Sequence, residues 1–152
     1  MRKFLIVVDN TPECLKALRF AARRAQRTKG GVSLLYLIEP EDFQHWMVIQ
    51  DASRAEAVAE AEARLQALSE EVKALAGITP EVAVREGRRR DQLLEHIAAD
   101  PEIRLLVLGA GVEGDGPGPL VKALVGQMGG RLPIPVTIVP GALSLEEIDD
   151  LC

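Results

Sequence analysis

Short apolar runs alternate with amphipathic segments along this chain, and the alternation constrains the fold more than any other feature of the sequence. The runs span residues 4–8, 32–38, 81–85, 103–108 and 134–139. Runs of this kind, bounded by turn residues, are typical of strands that helices cover on both faces. Strands that alternate with helices imply a parallel sheet with right-handed crossovers. We therefore predict one three-layer α/β domain with five parallel strands.

Local signals mark several of the helix boundaries. Thr11 and Pro12 are suited to the N-cap and the first position of the first helix, and Gly30-Gly31 ends it. Residues 51–76 contain no proline or glycine and are predicted as one long helix. The segment 41–50, which holds His45 and Trp46, shows neither the periodicity of a helix nor that of a strand clearly.

A glycine-rich loop separates the fourth strand from the helix after it. Glycine stands at 109, 111, 114, 116 and 118, and an amphipathic segment from Leu120 to Met128 follows. In a parallel sheet such a loop lies at the carboxyl edge, where ligands bind. Glycines let backbone N–H groups approach a phosphate, and a helix start favours anions. The pattern favours a ligand site at this loop, with a flexible connecting turn as the alternative.

Composition and charge argue against several classes of function. A net charge of −5 and a pI of about 5.1 disfavour general nucleic-acid binding, which needs a basic face. No apolar run approaches the roughly 20 residues of a membrane span. With Cys14 and Cys152 as the only cysteines, we expect a reducing, cytoplasmic location instead of a disulfide framework.

The residues that carry enzymatic chemistry form no recognisable constellation. His45 and His96 lack neighbouring ligands at metal-site spacing, so no metal site is predicted. No serine stands in a nucleophile motif, and Cys14 is expected to pack, although a place near a helix start can lower a thiol pKa. The glycines at 109, 111 and 114 satisfy G-x-G-x-x-G, but the acidic residue that a dinucleotide site needs does not follow. A binding module is therefore favoured over an enzyme.

Several of these features together resemble the universal stress protein family over nearly the whole chain. They are Asp9 after the first strand, Leu108-Gly109 at the end of the fourth, the glycine loop with its helix, and the closing P-x-P-V-x-I-V pattern at 133–139. The resemblance implies a flavodoxin-like (Rossmann-like) sheet of order 3-2-1-4-5 and homodimers built through the last strand. Many members of the family bind ATP, and others do not.

The glycine motif of the ATP-binding members, G-x2-G-x9-G-[ST], is altered in this chain. Aligned on Gly109, Gly116 and Gly126, the first gap is six residues, and Gln127 replaces the hydroxyl residue. The resemblance implies that Asp9 contacts the nucleoside. An adenine nucleotide (ATP or AMP) or another anion is the expected ligand, and a nucleotide-free dimeric interaction protein is the alternative. Slow ATP hydrolysis or nucleotidyl transfer is less favoured.

The resemblance also implies a set of site residues. The expected nucleotide-binding residues are Asp9, Asn10, Ile38, Leu108, Gly109, Gly111, Gly116, Gly126 and Gln127. Arg88, in the turn after the third strand, is a candidate anion contact, and Mg²⁺ is a candidate companion of the nucleotide.

The C-terminal part of the chain is predicted to serve assembly. We expect the domain at 1–141 and a short helical tail at 142–152, in which Ser144 and Glu147 have the spacing of a capping box. Three apolar residues of the tail are expected to face a partner subunit: Leu145, Ile148 and Leu151. An edge strand needs covering, and the predicted dimer interface comprises Ile134, Val136 and Ile138.

Overall fold

The structure is a computed structural model of the chain. It describes residues 1–39, 47–112, 114, 116–126 and 128–152, and of residues 47–52 the backbone alone. The strands are β1 (Lys3–Val8), β2 (Gly31–Ile38), β3 (Glu81–Glu86), β4 (Ile103–Ala110) and β5 (Val136–Pro140). The helices of the described residues are α1 (Pro12–Thr28), α2 (Met47–Ala76), α3 (Arg89–Ala99), α4 (Pro119–Val125) and α5 (Leu145–Leu151).

The five strands form one parallel sheet in the order β3-β2-β1-β4-β5. β1 lies at the centre and pairs with β2 on one side and with β4 on the other. The predicted α/β fold and its strand order 3-2-1-4-5 are therefore confirmed. β2 and β3 lie on one side of β1, and β4 and β5 lie on the other. The point between β1 and β4, where the order of the strands switches sides, leaves a crevice at the carboxyl edge of the sheet.

Helices bury both faces of this sheet. On one face α1, α2 and α5 contribute Ala21, Leu68 and Ile148 to an apolar cluster, and on the other α3 and α4 contribute residues such as Leu93 and Leu124. Adjacent residues of β1 point to opposite faces, so Leu5 joins one cluster and Ile6 the other. Both side chains are fully buried, which explains why the strands read as continuous apolar runs.

Two element boundaries near the C-terminus differ from the prediction. β5 begins at Val136 instead of 134, because Pro135 has no N–H to donate to a ladder. The carbonyl of Pro135 accepts a hydrogen bond from Leu106 N at 3.0 Å, so pairing with β4 starts directly after it. α4 ends at Val125, and Met128 is buried in the turn beyond the helix.

The C-terminal helix α5 packs on α1 of the same chain. The predicted capping box is present, since the Ser144 hydroxyl accepts from Glu147 N and the Glu147 carboxylate accepts from Ser144 N, each at 3.0 Å. Ile148 is fully buried in the cluster beneath α1, whereas Leu145 and Leu151 are exposed. The prediction that all three residues lie across a neighbouring subunit is therefore wrong for Ile148.

Ion pairs fix the same helix. Arg19 donates two hydrogen bonds to the Asp149 carboxylate, at 2.8 and 2.6 Å, and Arg23 donates a third at 3.2 Å. The hydrogen bonds from Arg19, together with the weaker effect of the one from Arg23, lower the pKa of Asp149 to about 2. Lys16 on α1 also donates to the carbonyl of Leu143, just before the helix. The tail is thus tied to its own domain by both apolar and charged contacts.

Candidate functional site

A cavity of about 380 Å³ opens at the carboxyl edge of the sheet, beside the ends of β1 and β4. Five of the predicted site residues line it: Asp9, Leu108, Gly109, Gly111 and Gly116. Small-molecule sites commonly enclose roughly 300–1,000 Å³, so this cavity has the size of a ligand site. Its position at the switch point of the sheet is where ligands of open α/β proteins bind.

Other residues of the predicted set lie away from the lining. Ile38 is buried at the end of β2, and Gly126 follows the last residue of α4. Because α4 already begins at Pro119, directly after the loop, a glycine seven residues later is carried to the far end of the helix. Gly126 is thus absent from the described lining of this cavity, and its contact with a nucleotide stays a prediction. Gln127 lies outside the described residues.

Two predicted contacts are replaced by neighbouring side chains. Arg88 is the exposed N-cap of α3 and does not line the cavity, whereas Arg89 does. Asn10 reaches the cavity indirectly, since its side-chain nitrogen donates to the hydroxyl of Tyr36 at 3.3 Å and Tyr36 is part of the wall. Of three adjacent arginines, spacing alone could not decide which one turns inward.

Asp9 shapes the turn from β1 into α1. Its carboxylate Oδ1 accepts from Thr11 N at 2.9 Å and also from the Thr11 hydroxyl. Thr11 is the N-cap of α1, as predicted, but its side chain makes no cap hydrogen bond because it donates to Asp9 instead. Arg64 on α2 donates to the backbone carbonyl of Asp9 at 3.2 Å. This network holds the Asp9 side chain at the cavity wall.

The first turn of α1 packs directly on the end of β4. A β-carbon built at Gly109 would lie 2.2 Å from the carbonyl oxygen of Glu13, far inside contact distance. One at Gly111 would lie 2.9 Å from Oε2 of Glu13. Glycine is required at 109 because no side chain fits between the strand and the helix. Glu13 itself is half-buried and lines the cavity.

The second half of the glycine loop owes its glycines to backbone conformation. Gly114, Gly116 and Gly118 have φ values of +67°, +92° and +110°, which residues with a side chain rarely adopt. The loop closes on itself, because Gly111 N donates to the carbonyl of Pro117 at 3.2 Å. Gly118 and Pro119 then begin α4 at the cavity rim.

Arg89 is held by a carboxylate from the end of β2. Its guanidinium lies 3.1 Å from Oε2 of Glu39, and its backbone N–H donates to Oε1 of the same side chain at 3.0 Å. Glu39 therefore caps the N-terminal end of α3 as well as pairing with the arginine. The cationic side chain among the described lining residues thus already has an anionic partner from its own chain.

The titratable groups that could carry catalysis are placed for structure. Cys14 is buried in the cluster beneath α1 and packs as predicted, and this burial raises the pKa of its thiol to about 11. Nδ1 of His96 accepts a hydrogen bond from Arg85 at 3.0 Å. The pKa of His96 is lowered mainly by burial and, to a smaller extent, by the charge of Arg85. Among the described residues, no group of three or more histidine, cysteine or acidic side chains is placed to hold a metal ion. His45 lies outside that part of the chain.

The lining residues outside the predicted set include four whose side chains carry polar oxygen or nitrogen atoms: Thr11, Glu13, Tyr36 and Arg89. Three of them follow directly from the rule that ligand sites lie where parallel strands end, since they stand at or just past the ends of β1, β2 and β3. Glu13 was harder to recognise, because an acidic residue in the first turn of a helix is explained by the helix dipole alone.

These features define the chain as a doubly wound α/β protein with a ligand-sized crevice at its switch point. The model of the universal stress protein family matches residues 1–140, and the chain belongs to this family. A search of curated proteins found no significant match. In the part of the chain that the structure describes, no helix has the length and apolar character to cross a membrane.

Solved structures of the same family share the fold. Universal stress protein UspA from Lactobacillus plantarum superposes with a TM-score of 0.75 at 19% identity, covering 91% of this chain and 97% of that one. A universal stress protein in complex with cAMP superposes with a TM-score of 0.64 at 19% identity, covering 93% of this chain and 98% of that one. A universal stress protein from Archaeoglobus fulgidus in complex with dAMP superposes with a TM-score of 0.65 at 16% identity, covering 91% of this chain and 98% of that one. At these identities the likeness establishes the fold.

Proposed function

We propose that this chain is a regulatory binding module that holds an adenine nucleotide, or a related anion, in the cavity beside β1 and β4. The observation that carries the proposal is a ligand-sized cavity at the switch point, lined by five residues expected from the family motif. Two solved proteins of the same fold were crystallised with cAMP and with dAMP, which supports an adenine-containing ligand.

In this proposal the nucleoside lies against the apolar wall and the phosphate points to the loop. Leu37 and Leu108 supply apolar surface, and Asp9 offers a carboxylate to the sugar hydroxyls. A β-carbon at Gly118 would meet nothing within 4 Å, so the backbone there is open to a ligand. Nζ of Lys122 lies 3.9 Å from the β-carbon position of Gly116, on the same side as the proposed phosphate. Mg²⁺ would accompany a polyphosphate.

Regulation, not catalysis, is the proposed output. The charged side chains among the described lining residues are Asp9, Glu13 and Arg89, and these do not form a nucleophile with a base. A bound ligand would contact the rim at Gly116 and Gly118 and so change a surface that partners could contact. Cys14 and Cys152 are both free, which is consistent with the cytoplasmic location that we propose.

The proposal includes a homodimer formed through β5. This strand is an edge of the sheet, and its residue Ile138 is 36% exposed. Val136 packs partly into the cluster beneath α3 and α4, and Ile134 precedes the strand. Ile138 is therefore the residue of the predicted interface that is best placed to meet a second copy.

A nucleotide-free interaction protein is the second candidate, and one observation favours it. The space beside Gly109 and Gly111, which glycines would leave open for a phosphate, is filled by Glu13. A chain that has lost its ligand would be free to close the loop in this way.

Thermal shift with and without a cavity-filling variant tests the binding proposal. AMP at about 100 times its dissociation constant would stabilise the native state by about 2.7 kcal/mol, a shift of roughly 5–10 °C for a chain of this size. Leu120→Trp, at the cavity wall, should abolish the shift, and Val125→Trp, on the same helix but 70% exposed and outside the lining, should keep it. Absence of any shift with ATP, ADP, AMP, cAMP and adenosine would favour the nucleotide-free candidate.

A further inference from the structure

We infer that Glu13 sets the charge selectivity of this cavity, so that without divalent ions adenosine binds more tightly than AMP and AMP more tightly than ATP. The inference rests on the proposed function, since it concerns the ligand of the same site. It assigns to one side chain the role of opposing phosphate charge.

The first step is the position of the Glu13 carboxylate. Its Oε2 lies 2.9 Å from the point where a β-carbon of Gly111 would stand. The backbone carbonyl oxygen of Gly116 lies at the same distance of 2.9 Å from that point, so a phosphate near Gly111 would meet the Glu13 carboxylate and this oxygen together. The carboxylate therefore occupies space that a phosphate at Gly111 would need, with the same sign of charge.

The second step is that neighbouring anion-attracting positions are already taken by the chain's own carboxylates. At the start of α1, the Thr11 N–H donates to Asp9. At the start of α3, the Arg89 N–H donates to Glu39, which also pairs with the Arg89 guanidinium. A phosphate entering the cavity would have to displace these carboxylates or lie beside them.

The third step is the balance of charge. The described lining residues carry two carboxylates, on Asp9 and Glu13, against the guanidinium of Arg89, which already pairs with Glu39. Lys122 brings a second cation to the loop, with its Nζ 3.9 Å from the β-carbon position of Gly116. The repulsion between two like unit charges about 4 Å apart weakens a binding constant about fivefold even at the dielectric constant of water. The effect is larger in a partly buried cavity. We therefore expect a penalty on the order of tenfold for placing a phosphate beside Glu13.

The test compares adenosine, AMP and ATP by calorimetry, in EDTA, on the wild type and on Glu13→Gln. The glutamine keeps the size of the side chain and removes its charge. Glu146→Gln, an exposed position on α5 outside the cavity lining, is the control for a change of one unit in net charge. Unliganded melting temperatures check that the variants fold, and Glu13→Ala provides a second variant without the carboxylate.

The ratio of AMP to adenosine dissociation constants should fall about tenfold in Glu13→Gln and stay unchanged in Glu146→Gln. AMP binding that appears only once Glu13 is neutral supports the inference as well. Equal ratios in the wild type and both Glu13 variants overturn the inference and leave the proposed function intact. No binding of any of the three ligands to any variant overturns both.

Discussion

A substitution at Ile148 tests whether the C-terminal helix α5 packs on its own domain. Its side chain is fully buried in the cluster beneath α1, whereas Leu151, on the same helix, is 64% exposed. Truncating a buried isoleucine to alanine removes apolar contact and leaves a cavity, which lowers the free energy of unfolding by about 2–5 kcal/mol. For a chain of this size that corresponds to a fall in melting temperature of roughly 5–15 °C.

Leu151→Ala is the matched control. It deletes a side chain of similar size from the same helix and replaces it with a better helix former, so the free energy of unfolding should change by less than about 0.5 kcal/mol. Both variants would be unfolded by heat and by urea, with circular dichroism as the signal, at a low and a high protein concentration. A stable Ile148→Ala variant, or a loss of stability seen only at high concentration, would refute the packing of α5 on its own domain.

Two further predictions concern charge and assembly. Asp149→Asn should lower the melting temperature at neutral pH, and the difference from the wild type should shrink as the pH falls from about 4 towards 2. The sign follows from a folded-state pKa of about 2 against an ordinary value of 3.8, because the stabilisation is present above the unfolded pKa and is lost on protonation in the folded state. A constant difference across that range would contradict the ion pairs with Arg19 and Arg23. Ile138→Asp should shift the proposed dimer towards monomer in sedimentation, and Val82→Asp, on the opposite edge strand and 52% exposed, should not. A wild-type monomer at tens of micromolar would remove the basis of the interface.

The fold was predictable because its signals are local. The inner strands β1, β2 and β4 show their burial as apolar runs, whereas the edge strand β3 shows only the alternation of Val82 and Val84. Glycine, proline or a capping residue marks several of the turns. The strand order came from the family resemblance, since alternation predicts a parallel sheet without fixing which strands are neighbours. The start of β5 was misplaced by the two residues that include Pro135, where apolar alternation continues but the backbone has no donor.

The site was predicted less completely, because it depends on which side chains from distant elements turn towards one another. Asp9 and Leu108-Gly109 were identified correctly as lining residues, since they stand at strand ends and strand ends meet at one edge. Gly126 lies outside the lining because α4 begins at Pro119, and spacing along the chain carries no information about that start. Arg89 lines the cavity and Arg88 does not. Glu39 determines this by accepting a hydrogen bond from the Arg89 backbone N–H at the start of α3, and the run of three arginines gives no sign of it.

The glycines of one loop have two different physical origins, and the division bears on function. At 109 and 111 the missing β-carbon makes room for Glu13, so these glycines are explained by the packing of α1 on β4. At 114, 116 and 118 positive φ angles demand glycine, and at 114 and 118 a β-carbon would meet nothing within 4 Å. A glycine needed for packing offers a ligand no space, whereas a glycine needed for conformation leaves its backbone accessible. A ligand of this cavity should therefore meet the loop from 116 onward, with Glu13 separating it from Gly109 and Gly111.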